Sequence, residues 1–92
     1  MAKISVIIPA YNAGGTLRAA VESILSQQVP GLEIIIVNDG STDNTDSVCH
    51  ALAHENDCIH IITQKNSGIC AARNRGLEAA GGEFIAFCDD DD

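Results

Sequence analysis

Two hydrophobic patterns alternate along the chain. Ile4-Ser5-Val6-Ile7-Ile8, Glu33-Ile34-Ile35-Ile36-Val37, Ile59-His60-Ile61-Ile62-Thr63 and Glu83-Phe84-Ile85-Ala86-Phe87-Cys88 are short runs rich in β-branched or aromatic residues. The first two are almost continuously apolar, which fits strands covered on both faces of a parallel sheet. Pro9 should end the first, because it has no N–H to give a ladder. Between the runs lie helical patterns. Leu17, Ala20, Val21, Ile24, Leu25 and Gln28 keep the spacing of an amphipathic helix, with Asn12 as its expected cap and Pro30-Gly31 as its end. A second helix is predicted over 42–56, with Val48, Cys49 and Leu52 inward. Ser41 or Thr42 should cap it, and Asp43 and Asp46 favour its positive end. A third is predicted over 68–80, stopped by a glycine cap at Gly81-Gly82.

The order β-α-β-α-β-α-β predicts an α/β fold. Right-handed crossovers should place helices on both faces of a mostly parallel four-stranded sheet, in three α/β/α layers. Ninety-two residues suit one domain, 1–92, and no linker or repeat interrupts it. Aromatic residues are only 3% of the chain, so Ile, Val, Leu and Ala must build the core.

Charge narrows the function. The formal net charge is −8, and half of it sits in the run Asp89 to Asp92. Lys3, Arg18, Lys65, Arg73 and Arg75 are scattered, which argues against nucleic-acid binding and against a basic membrane face. No stretch approaches the roughly 20 apolar residues of a spanning helix, and the first strand is too short for a signal-peptide core. The expected location is therefore cytoplasmic, or the cytoplasmic part of a longer, membrane-associated protein. Cys49, Cys58, Cys70 and Cys88 form no CxxC pair and read as reduced, buried hydrophobes. Cys49, His50, His54 and Cys58 would share a zinc ion only if one helix carried them all, and solvent-facing histidines are the better reading.

Ligands of open parallel sheets bind beyond the carboxyl ends of the strands. Those ends hold Pro9-Ala10-Tyr11-Asn12, Asn38-Asp39-Gly40-Ser41, the 64–68 segment and the aspartates. Each also has a plain reading as a turn or helix start. Gly14-Gly15 matches neither a dinucleotide fingerprint nor a P-loop. The aspartates are hard oxygen ligands suited to Mg²⁺ or Mn²⁺, though a frayed acidic end competes with that reading. In an extended chain Asp89 and Asp91 would face one way, Asp90 and Asp92 the other.

The stretches ISVIIPAYN, ESILSQ, EIIIVNDGSTDNT, NSGICAARNRGLEAAGGEFIAF and CDDDD together resemble the N-terminal half of a family 2 glycosyltransferase with the GT-A fold. The resemblance runs from the first strand to the last residue. It implies a transferase that takes a sugar from a nucleotide-diphospho-sugar, most often a UDP-sugar, with inversion and with Mn²⁺ or Mg²⁺. It assigns the nucleobase to Pro9, Ala10, Tyr11 and Asp39, and the nucleotide's border to Gly68, Arg73 and Asn74. Asp89 and Asp90 fall at the donor, and Asp89 and Asp91 at the metal. Asp90 stands where relatives often have a small residue, and Asn38 where many have aspartate. The resemblance also implies a catalytic base and an acceptor site beyond residue 92. The chain is then expected to be a donor-binding portion of a truncated GT-A fold, with little transfer alone and sheet edges that favour self-association. The alternative is a non-catalytic, Mg²⁺-binding βαβ module. A receiver-like domain of that kind needs its acidic cluster after the first strand, where Pro9-Ala10-Tyr11-Asn12 stands instead.

Overall fold

A computed structural model describes residues 3–90. Its elements are β1 (Ile4–Ala10), α1 (Leu17–Leu25), β2 (Leu32–Asp39), α2 (Thr45–Glu55), β3 (Ile59–Gln64), α3 (Ile69–Ala79) and β4 (Phe84–Phe87). The strands form one sheet in the order β3-β2-β1-β4, and every pairing is parallel. Alternation along β1 and β2 then divides the core. Val6, Ile8, Ile34 and Ile36 pack with Leu17, Val21, Cys49 and Leu52 of α1 and α2. Ile35 and Val37 pack with Ala72 of α3 on the opposite face. Burying each such Ile, Leu or Val contributes about 1.5–3 kcal/mol before chain entropy is set against it. Gly76 brings α3 close to β1, because a Cβ there would lie 2.4 Å from Ile7 Cγ2.

The strand order reverses at β1. The chain steps outward from β1 to β2 and β3, then crosses under α3 to the other side of β1 for β4. A crevice therefore opens at the carboxyl ends of β1 and β4, where such a reversal places ligands.

Several local expectations are corrected. β1 continues through Pro9, which pairs in register with Val37. Its missing N–H lies on the β4 side, as the Ile7 carbonyl that accepts from Cys88 does, and β4 has already ended there. α1 begins after Thr16, not Asn12, and ends at Leu25, before Pro30. α2 begins after Asn44, and neither Ser41 nor Thr42 caps it. Gly81 and Gly82 do not make a left-handed cap. Ala80 leaves α3 in extended conformation, and a Cβ on Gly82 would lie 2.5 Å from Ser5 Oγ and 2.8 Å from Ser5 N. Their role is close approach to β1.

α2 stops at Glu55 with Asn56 extended, so Cys58 lies past the helix face that carries His50 and His54. His50 sits 3.4 Å from Asp46 and is exposed. Among the described residues no three His, Cys, Asp or Glu side chains converge on a metal position. No described helix is long and apolar enough to cross a membrane. At the sheet's edge, Phe84, Ile85 and Phe87 of β4 are exposed.

Cys49 and Cys70 should differ sharply in reactivity. Burial, with a smaller contribution from Asp46, pushes the Cys49 thiol up to about 11. Cys70 is exposed. Since the thiolate is the nucleophile, iodoacetamide at about pH 8 is expected to modify Cys70 and spare Cys49 in the native chain. Mass spectrometry of the digested product checks this, and equal labelling would show that α2 opens readily.

Candidate functional site

The loops after β1 and β2 are built against each other. Asn12 adopts φ +49°, a left-handed conformation that asparagine tolerates. There its Oδ1 accepts the Thr42 N–H at 2.8 Å, the Thr42 hydroxyl at 3.3 Å and the Asp43 N–H at 3.3 Å. The Asn12 N–H donates to Ser41 Oγ at 3.0 Å, and the Ala13 N–H to buried Thr45 Oγ1 at 2.8 Å. Asp43 accepts from the Thr45 hydroxyl and N–H and from the Gly14 N–H. The Thr45 hydroxyl and N–H bonds outweigh slight burial and hold its carboxyl below the usual range. Asn12, Ser41 and Thr42 thus join the two loops, while Asp43 orders the start of α2. Tyr11 stands above this floor, about half exposed.

Asp39 closes β2 and is 4% exposed. Its Oδ1 accepts Gln64 Nε2 at 2.9 Å and the Ser67 N–H at 2.8 Å. Its Oδ2 accepts the Gly68 N–H at 2.9 Å and Asn66 Nδ2 at 3.5 Å. Burial pushes the carboxyl up, but the bonds from Gln64, Ser67 and Gly68 prevail and hold it below the usual range. Asp39 therefore fastens the 64–68 segment, and with it the start of α3. Gly40 permits this at φ +68°, because a Cβ would lie 2.5 Å from the Asn66 nitrogen.

A cleft of about 310 Å³ lies at this edge, lined by Pro9, Ala10, Tyr11, Asp39, Ile69, Ala72, Asp89 and Asp90. The strict in–out alternation expected of the aspartates is not followed. β4 ends at Phe87 and the chain turns at Asp90, so Asp89 and Asp90 both face the cleft. Asp90 is fixed to the β1–α1 loop: its Oδ2 accepts the Tyr11 N–H at 3.1 Å, and its carbonyl accepts the Thr16 hydroxyl at 3.0 Å.

The structure thus gathers Pro9, Ala10, Tyr11, Asp39, Asp89 and Asp90 around one space. Gly68 sits at its border through its N–H bond to Asp39. Arg73 and Asn74 do not line it. The Arg73 guanidinium lies 5.7 Å from the Phe87 ring centroid, with its Nε buried and without a hydrogen-bond partner among the described residues, and Asn74 is exposed. Asp91, the other expected metal ligand, lies outside the described residues. The pattern reading missed Ile69 and Ala72, which supply an apolar wall; their spacing of three along the helix was the available signal.

The cleft is chemically two-sided. Pro9, Ala10, Tyr11, Ile69 and Ala72 offer apolar surface for a flat ring, while the carboxylates of Asp39, Asp89 and Asp90 repel any anion. A phosphate-bearing ligand would then need a cation between. The Asp89 carboxylate has no hydrogen-bond partner among the described residues, and an all-oxygen donor set suits Mg²⁺ or Mn²⁺, which one or two carboxylates hold together with substrate phosphates.

Known proteins share this fold. The chain is 48% identical over 90 residues to the uncharacterized glycosyltransferase YibD of Escherichia coli (strain K12), covering 98% of this chain and 26% of that protein. It is similar to TarS of S. aureus, solved in complex with UDP: 32% identity, TM-score 0.87, 97% of this chain and 27% of that one. The mannosyltransferase PcManGT from Pyrobaculum calidifontis, solved with GDP-Man and Mn2+, superposes at TM-score 0.92 with 27% identity, over 98% of this chain and 28% of that one. The chain therefore spans about a quarter of the length of these relatives. Its three-layer architecture is that of the GT-A glycosyltransferases. A profile match over residues 5–92 makes this chain a member of glycosyl transferase family 2.

Proposed function

We propose that this chain forms the donor site of an inverting glycosyltransferase that moves a sugar from a nucleoside-diphospho-sugar, UDP-linked in the first instance, to an acceptor hydroxyl. The observation that carries this is the meeting of Tyr11, Ile69, Asp39 and the Asp89-Asp90 turn around one cleft at the sheet's reversal point. Tyr11, Pro9 and Ile69 hold the nucleobase by its faces. Asp39 fixes the wall beside it, and its long 3.5 Å bond from Asn66 is the one that would yield to an N–H on the base edge. Asp89 meets the ribose or the ion, and Asp91 is the second ligand proposed for Mn²⁺ or Mg²⁺. The bound ion supplies Lewis-acid stabilisation of the departing diphosphate. The chain's own carboxylates keep the diphosphate from binding without it, which makes donor binding conditional on the cation.

Calorimetric titration with UDP and Mn²⁺ tests the reading. UDP is expected to bind at least about tenfold more tightly with Mn²⁺ than without, and Asp89→Ala to erase most of that gain, while uridine responds little to the metal. Equal UDP affinity with and without Mn²⁺ would remove the ion from the donor site. No binding of UDP, GDP or their sugars under either condition would remove the donor reading altogether.

A further inference from the structure

The β1–β4 ladder is short. Its last paired residues are Ile7 and Phe87, and the Cys88 N–H then donates to the Ile7 carbonyl at 3.0 Å. N–H groups on one side of a strand recur every second residue, so Pro9 and Tyr11 come next on the β4 side. Pro9 has no N–H. Tyr11 is the first residue past Ile7 with a donor to offer, and Asp90 Oδ2 accepts it at 3.1 Å. One turn further, the Thr16 hydroxyl donates to the Asp90 carbonyl at 3.0 Å. One residue thereby ties the end of β4 to both ends of the β1–α1 loop.

We propose that Asp90 is a positioning residue: it clamps the turn after β4 to Tyr11 and Thr16 and so sets the width of the donor cleft, instead of ligating the ion. The clamp fixes the separation of Tyr11 and Asp89, which both line the cleft. Its effect on donor affinity rests on the donor-site reading above; the clamp itself does not.

Two substitutions separate the roles. Asparagine at position 90 keeps a carbonyl oxygen for the Tyr11 N–H but is a much poorer ion ligand; alanine loses both functions. In the isotopically labelled 92-residue chain, Asp90→Ala is expected to speed hydrogen exchange of the Tyr11 amide by about tenfold and to shift its resonance upfield, whereas Asp90→Asn leaves both near wild type. Affinity for uridine, which carries no charge for the carboxylates to repel, should fall about fivefold to tenfold in Asp90→Ala and stay within about twofold in Asp90→Asn. Mn²⁺ should still tighten UDP severalfold in both. Thr16→Val, which keeps the shape and removes the hydroxyl, should reproduce the alanine effects in weaker form. An unaltered Tyr11 amide in Asp90→Ala would overturn the clamp. Loss of the Mn²⁺ effect in Asp90→Asn would show instead that Asp90 is an ion ligand. If the wild-type chain binds no UDP, the donor reading fails, and the Tyr11 amide still decides the clamp.

Discussion

Asp39→Asn is expected to lower folding stability by roughly 3 kcal/mol and UDP affinity by more than about tenfold. The two carboxylate oxygens each face two donors, Gln64 and Ser67 on one and Gly68 and Asn66 on the other. An asparagine amide has only one acceptor oxygen. Whichever way it turns, its NH₂ meets a backbone N–H, of Ser67 or of Gly68, at a position 4% exposed. Gln64 could reverse its own amide to relieve one contact, but a backbone N–H has no such choice. A lost charge-assisted bond is worth about 1.5–3 kcal/mol and an orphaned buried donor about 1–3, which sets the size of the effect.

The loss should reach the cleft because the same bonds start α3. Ile69 and Ala72 form a wall of the cleft from the first turn of that helix. A loosened 64–68 segment lets them move, so part of the binding loss is indirect. Urea unfolding, UDP calorimetry and amide exchange at Ser67 and Gly68 check the three steps in turn. Native stability in Asp39→Asn, with lost UDP binding, would leave Asp39 as a contact to the base and nothing more. Native values of both would remove it from the site.

The element order was legible in the sequence because the strands of a parallel sheet are unusually apolar; Ile34, Ile35, Ile36 and Val37 are all essentially buried. Helix ends were not. Asn12 and Ser41 are the residue types that cap helices, yet here they spend their side chains on each other's loop. A local rule registers a polar side chain before a helix and is blind to N–H groups that a distant loop brings to it. Gly81 and Gly82 misled for a similar reason: their missing side chains make room for Ser5 and Lys3, about 77 residues away in sequence. The edge that carries the cleft followed from topology alone, since the carboxyl ends of parallel strands are brought together whatever the loops do. Its walls required helix phase. Ala72 lies on the inner face of α3, and half-exposed Ile69 borders the cleft at the helix start; Asn74 is about 200° round from Ala72 and faces solvent, while Arg73, about 100° round, reaches Phe87 on β4. The turn at Asp90 had no local signal, because its partners, Tyr11 and Thr16, come from the opposite end of the chain.

At the other end of the sheet, Glu33→Ala is expected to cost about 3 kcal/mol, comparable to the loss at Asp39. Glu33 is 8% exposed on β2. Its Oε2 accepts the Ser5 hydroxyl at 2.7 Å and the Gly81 N–H at 3.2 Å, and the Gly82 N–H donates to Ser5 Oγ at 2.9 Å. Lys3 and His60 stand 3.6 and 3.7 Å from its Oε1. This network fastens the α3–β4 connection to β1 and β2, and so holds the strand whose end carries Asp89 and Asp90. The Ser5 hydroxyl bond lowers the Glu33 carboxyl most. Burial opposes it, and Gly81, Lys3 and His60 add to the lowering. A carboxyl lower in the folded chain than in the unfolded one stabilises the fold fully above its unfolded value. That contribution fades as pH falls through the ordinary carboxylate range to the folded value. Asp39 has the same sign. Wild-type stability should therefore drop between about pH 5 and pH 3. Glu33→Gln, which removes one of these carboxyls but keeps an acceptor for Ser5, should start less stable at neutral pH and lose less on acidification. Urea midpoints at neutral pH and near pH 3.5 measure both slopes. Parallel slopes in wild type and Glu33→Gln would mean that Glu33 is not linked to folding. A smaller slope together with faster amide exchange at Gly81 and Gly82 would show that the carboxylate beneath the sheet holds β4, and with it the aspartates at its far end, in register.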